Sequence, residues 1–156
     1  MTPPRWLVLT WRLPSTSSST PRVATWRSLQ RLGAVTLTPG AAILPFSEHL
    51  LEQLEWIAED ITDNGGEAFV LRVSELSEAD EEEVRRRMRE ERSEEYSRIR
   101  VAAQNLGRVP VGSRFTRELT ALERGLARAV ERDHFASVGR AGAERAIRVA
   151  RRRKEV

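Results

Sequence analysis

The 156-residue chain contains no cysteine. That excludes disulfides, thiolate metal sites, thiol redox sensing and cysteine nucleophiles together. Its histidines are His49 and His134, far apart in sequence, so neither a metal centre nor a bound cofactor is expected. No apolar run reaches the roughly 18–20 residues that cross a bilayer. Arg12 interrupts the apolar stretch near the N-terminus, so the pattern of a secretory signal is lacking. A cytoplasmic protein without a membrane segment is the expectation. Lysine is also scarce. Lys154 stands alone among 26 basic residues. Arginine's fork suits phosphate and other oxyanions, but GC-rich coding produces the same bias, so the preference by itself decides nothing.

Acidic residues are missing before Glu48, which leaves Arg5, Arg12, Arg22, Arg27 and Arg31 uncompensated in a segment of charge +5. Residues 48–95 then carry −11 and residues 96–156 carry +9. The net +3 therefore hides a basic–acidic–basic division.

Alternation of Leu7, Leu9, Trp11 and Leu13 with Trp6, Val8, Thr10 and Arg12 predicts a strand. The Ser/Thr-rich segment Pro14–Thr20 predicts a loop, with Thr20 capping a helix that Pro21 opens and Gly33 stops. Residues 34–38 and 41–44 flank Pro39-Gly40 as a tight hairpin. Ser47 caps a second helix whose Leu50, Leu51, Leu54, Ile57, Ala58 and Ile61 share one face. Asn64-Gly65-Gly66 ends it, and residues 68–73 form a fourth strand. Beyond Ser77, which begins a capping-box spacing with Asp80, the pattern is helical. Because residues 89–95 offer little to bury, a fresh helix start is expected near Ser93, followed by a loop over 108–113 and helices near 115–132 and from Arg140. The class is α+β: a ferredoxin-like βαββαβ half, 5–75, followed by an all-helical half, 77–154, packed as one unit.

On the helix near 115–132, Arg117, Arg124 and Arg128 fall within about 40° of one another, opposite Leu119 and Leu126. Arg114 and Arg132 lie one step round. Arg145, Arg148 and Arg152 repeat the plan on the last helix, opposite Ala146 and Ile147. Two basic outer faces form an electrostatic footprint for a polyanion, with DNA the expected partner. An ordinary solvated face has the same pattern. Membrane binding fits poorly, because no Trp, Phe or Leu faces outward on the last helix.

Glu48, Glu52, Glu55, Glu59 and Asp63 line the second helix away from its apolar stripe. A helix surface diverges and does not wrap a cation, so this reads as a solvated face and no metal ligand is assigned. Trp56 beside it is a candidate interface anchor. Catalytic motifs are lacking: there is no Ser-x-x-Lys pair, no nucleophile elbow and no Gly-rich phosphate loop. Asp133 and His134 are adjacent, which points them in different directions on a helix. Ferredoxin-like metal-dependent nucleases place a metal-binding Asp at the end of the first strand, whereas this strand ends Trp11-Arg12-Leu13-Pro14. A catalyst is not expected.

The spelling of the opening block resembles the N-terminal domain of the ChrB family. The resembling pieces are the Trp-led strand closing on Leu13-Pro14, Arg22, Trp26-Arg27, Leu32-Gly33-Ala34, Gly40 and Ile43-Leu44-Pro45. Gly65-Gly66-Glu67-Ala68 is similar to the family's GGEA, Arg92-Ser93-Glu94-Glu95-Tyr96 to its R-S-x-E-Y, and Asp133-His134-Phe135 to its D-x-F. Thr38, Pro39 and Ala42 replace the family's Arg, Asp and Tyr, and Ala24 stands where a second Arg is common. The resemblance implies a chromate-responsive transcriptional regulator of a chromate-resistance operon, with DNA and an oxyanion such as chromate as ligands. Arg22, Arg27 and Arg31 join the arginines of the two helices as the implied contacts. The chain is expected to lack the family's C-terminal domain, so an interaction module that docks such a domain from another chain is the alternative. A homodimer is expected as well, with Trp6 and Trp56 at its interface, because the sheet face carrying Trp6 and Val8 needs cover.

Overall fold

A computed structural model describes residues 2–15 and 19–156. It contains a four-stranded antiparallel sheet and five α-helices. The elements are β1 (Trp6–Arg12), α1 (Ser19–Leu32), β2 (Val35–Thr38), β3 (Ala41–Pro45), α2 (Glu48–Asp63), β4 (Glu67–Val73), α3 (Glu78–Asn105), α4 (Ser113–Glu131) and α5 (Arg140–Glu155), with a 3-10 turn at Leu106–Arg108. The chain divides into two compact units, Met1–Val84 and Arg85–Val156. The boundary falls inside α3, later than the 75/77 division expected from the sequence.

In the first unit the strands run in the order β2-β3-β1-β4. Leu7 pairs with Leu44 and Arg72, and Leu9 with Ala42 and Val70. This register sends Leu7, Leu9, Ala42 and Leu44 to one face, where they form a single core with Leu29 of α1 and Leu51, Leu54, Ile57 and Ile61 of α2. Both helices therefore cover the same face, and each buried aliphatic side chain contributes about 1.5–3 kcal/mol. On the opposite face Trp6, Val35 and Ile43 are buried, whereas Phe69 and Leu71 are exposed.

Helix punctuation follows local chemistry. Ser47 Oγ accepts from the Leu50 backbone N–H at 3.0 Å, the cap expected for α2. Its far end closes with Gly65 N–H to Thr62 O at 3.0 Å and Gly66 N–H to Ile61 O at 2.9 Å. Gly65 takes the left-handed conformation (φ 82°), and a Cβ on Gly66 would lie 2.5 Å from Arg12 O. The Gly-Gly pair is thus a helix stop where α2 meets the end of β1. Ser19 and Thr20 are both within α1, so Thr20 does not stand outside the helix as a cap. Part of the loop expected before it, residues 16–18, lies outside the described residues.

The expected break at Ser93 is absent, because α3 runs unbroken for 28 residues. Val84, Met88, Arg92, Tyr96, Ile99 and Ala103 are all buried along it. Arg92 occupies the position on this face where an apolar residue would ordinarily stand. In the second unit Tyr96, Ile99, Ala103 and Leu106 build a core with Phe115, Leu119 and Ala129 of α4 and Ala143, Ala146, Ile147 and Ala150 of α5. Alanines on α5 let that helix seat closely. None of the described helices is long and apolar enough to cross a membrane.

Candidate nucleic-acid interface

Arginines of the second unit fall into an inner and an outer set. The inner set surrounds Glu95. Arg92, whose side chain is 8% exposed, approaches Glu95 at 3.4 Å and Glu91 at 3.7 Å. Arg132 pairs with the same Glu95. Burial lowers the Arg92 pKa, against the opposing pull of Glu95. Burial likewise raises that of Glu91, with Arg92 opposing. Beside this group the Tyr96 hydroxyl donates to Asp133 Oδ2 at 2.9 Å. Asp133 also accepts from the Ser137 hydroxyl at 2.7 Å and from the Ser137 backbone N–H at 2.9 Å. Burial and the hydrogen bond to Asp133 push the Tyr96 pKa up. For Asp133, burial acts upward but is outweighed by the hydrogen bonds from Ser137 and Tyr96, which hold the carboxyl below its usual range. Arg85 stacks over the Phe135 ring at 4.5 Å.

This arrangement joins two stretches that are 37 residues apart. Arg92, Glu95 and Tyr96 come from one, and Asp133 and Phe135 from the other. Tyr96 holds Asp133, Glu95 holds Arg132 and Arg85 lies over Phe135, and the Asp133–Ser137 bonds fix the turn that leads into α5. Arg132 belongs here. The face angle places it near the outer arginines, but its guanidinium is taken by Glu95, so it is withdrawn from the expected binding row. Asp133 and His134 lie past the end of α4 at Glu131.

The outer set is exposed. Arg117, Arg124 and Arg128 stand on α4 opposite buried Phe115 and Leu119, with no ion-pair partner among the described residues. From Arg117 to Arg128 the row spans about 16 Å at the helical rise. Arg114 at its start is exposed and hydrogen-bonded to Glu118 at 2.8 Å, which raises its pKa. On α5, Arg145, Arg148 and Arg152 are exposed and likewise without an ion pair among the described residues. Their neighbours are occupied: Arg151 bridges to Glu123 of α4 at 3.0 Å, and Arg153 donates to the carbonyls of Leu106 and Val109 while lying over Phe115.

A groove of about 420 Å³ runs between the end of α3 and α5. Ala103, Ala146 and Val149 line it together with Arg100 and Arg145. Arg100 is absent from the residues that the sequence singles out. Its signal was there, since 100 and 103 are a turn apart on α3, but its nearness to Arg145 is a tertiary fact.

In the first unit Arg22, Arg27 and Arg31 are exposed on α1, and Arg22 donates to Pro14 O at 3.4 Å. Trp26, 57% exposed, stands among them. Trp56 is 60% exposed beside the acidic face of α2. Trp6 is only 1% exposed. It is filled in by its own chain and has no surface left for a partner, which corrects its place at the expected interface.

Comparison with known proteins adds a relationship to this geometry. Protein ChrB of Cupriavidus metallidurans is 37% identical over 92 residues, covering 59% of this chain and 28% of that protein. The matched segment is thus under a third of the relative's length. No solved structure matches. The family described as Protein ChrB, N-terminal, matches residues 22–106, a stretch that includes Arg92–Tyr96 and ends before α4. More than half of the sequence lies within that match, and the chain belongs to the ChrB N-terminal family.

Proposed function

We propose that this chain is a DNA-binding regulatory module of a chromate-resistance system, acting in the cytoplasm as a binding protein and not as a catalyst. The observation that carries the reading is the outer arginine set. Arg117, Arg124, Arg128, Arg145, Arg148 and Arg152 are exposed and unneutralised among the described residues, which is what phosphate binding requires. Arg114, Arg22, Arg27 and Arg31 supplement them. The ChrB relationship supports the chromate association. Arg100 and Arg145 at the α3–α5 groove support response to chromate or another oxyanion. The β2-β3-β1-β4 sheet with two helices on one face supports a ferredoxin-like reading of the first unit.

Electrophoretic retention of the duplex upstream of the protein's own gene tests this. Retention at low salt that fades as salt rises is expected, and chromate should alter it. If no duplex is retained even at low salt, the arginines are ordinary solvated surface. A second reading then takes over, favoured by exposed Trp56 among Glu52, Glu55 and Glu59: a module that docks the C-terminal part of a ChrB protein carried on another chain.

A further inference from the structure

The sheet has two edges, β2 and β4, and an open edge is a template for pairing unless it is blunted. Only one of them is. β2 has four residues, its register on β3 shifts between Thr36 and Thr38, and Pro39 follows. Shortness, irregularity and proline are the devices that discourage edge pairing. β4 has seven residues in uninterrupted register with β1 and contains no proline, glycine or lysine. Phe69 and Leu71 on it are 66% and 45% exposed. They are two residues apart and therefore share a face. That is the face opposite α1 and α2, because they pair with Thr10 and Val8, which alternate with core Leu7 and Leu9.

We infer that β4 is a self-association edge, whose occupant is β4 of a second copy, antiparallel about a two-fold axis at Val70. In that register Phe69 of each copy stands opposite Leu71 of the other, so the two exposed apolar side chains leave water together. Glu67 falls opposite Val73 and Ala68 opposite Arg72, so no like charges meet. A two-fold interface must be self-complementary, and this strand satisfies that by its own sequence. The two four-stranded sheets would join into one. The contact uses the exposed β4 edge of the same sheet face that carries buried Trp6, and not Trp6 itself, and it does not depend on DNA.

Light scattering on the full chain at tens of micromolar, without nucleic acid, should give twice the 17.7 kDa chain mass. Phe69→Lys combined with Leu71→Lys should give the single-chain mass with an unchanged circular dichroism spectrum. The chain has no cysteine of its own, so Val70→Cys tests the axis independently of that variant's folding. Opposed residues in an antiparallel pair have Cα atoms about 4.5–5.5 Å apart, within disulfide reach. Mild oxidation should therefore cross-link Val70→Cys and leave Thr36→Cys, on the β2 edge, uncross-linked. A monomeric wild type overturns the inference and leaves the β4 edge to a segment of another protein. So does a folded lysine variant that remains dimeric, or cross-linking through position 36 in place of 70.

Discussion

Arg92 and Arg132 lie against Glu95 inside the helical unit, whereas Arg117, Arg124 and Arg128 stand in solvent on α4 without an ion pair among the described residues. The inner pair has lost most of its water and shares Glu95, with Glu91 also near Arg92, so its electrostatics are spent on holding α3 to the end of α4. The outer row keeps its hydration and its full charge, and remains open to an external anion. Position relative to the apolar face decides which set an arginine can join, and the presence of a partner carboxylate decides which it does join.

Removing Glu95 attacks the inner set hardest. Glu95→Ala leaves Arg92 buried beside Arg132 with only Glu91, at 3.7 Å, opposing it, and the expected loss is about 3 kcal/mol in chemical unfolding. A loss below about 1 kcal/mol would place Arg92 among the solvated arginines. Tyr96→Phe deletes the hydroxyl that donates to Asp133 and should cost about 1 kcal/mol in the same measurement, since Ser137 continues to satisfy the carboxylate. The acid side of the stability profile is a milder probe. Asp133 has a folded pKa below its ordinary value, so its contribution is present above the unfolded carboxylate pKa of about 3.9 and disappears as pH falls through the lower folded value. Glu91, raised by burial, acts in the opposite sense. Asp133→Asn should therefore remove part of the acid-induced loss, read as a flatter melting temperature against pH. The smallest effect belongs to the acidic stripe. Charge reversal at Glu52, Glu55 and Glu59 should change DNA affinity little, because these side chains must point away from a polyanion; a large gain would show that α2 faces the DNA.

Much of the first unit could be read from its residues. Strict alternation marked β1, Ser47 marked the start of α2, and the Gly65-Gly66 pair marked its end, because strand pleat, capping and left-handed turns are local. The continuity of α3 was hidden for a different reason. The charged run at 89–95 looks like solvent-exposed sequence, and the partners of Glu95 and Tyr96, which are Arg132 and Asp133, lie far along the chain. Trp6 was misplaced for the same cause, since burial of a sheet's second face is a tertiary property. The row Arg117, Arg124 and Arg128 was legible because helical period alone puts them opposite the core. Arg132 differs by one step of phase, and its capture by Glu95 leaves no local trace.

The salt dependence of DNA affinity, compared between the wild type and Arg124→Ala with Arg128→Ala, distinguishes the two sets most directly. If the outer row binds phosphates, each phosphate deprived of its arginine flattens the slope of log K against log salt by about 0.9, so the double variant should bind more weakly with a slope shallower by up to about 1.8. Its unfolding free energy should stay within about 0.5 kcal/mol of the wild type, as neither side chain packs in the core. An unchanged slope and affinity in a folded double variant would contradict the assignment of the outer arginines to phosphate binding.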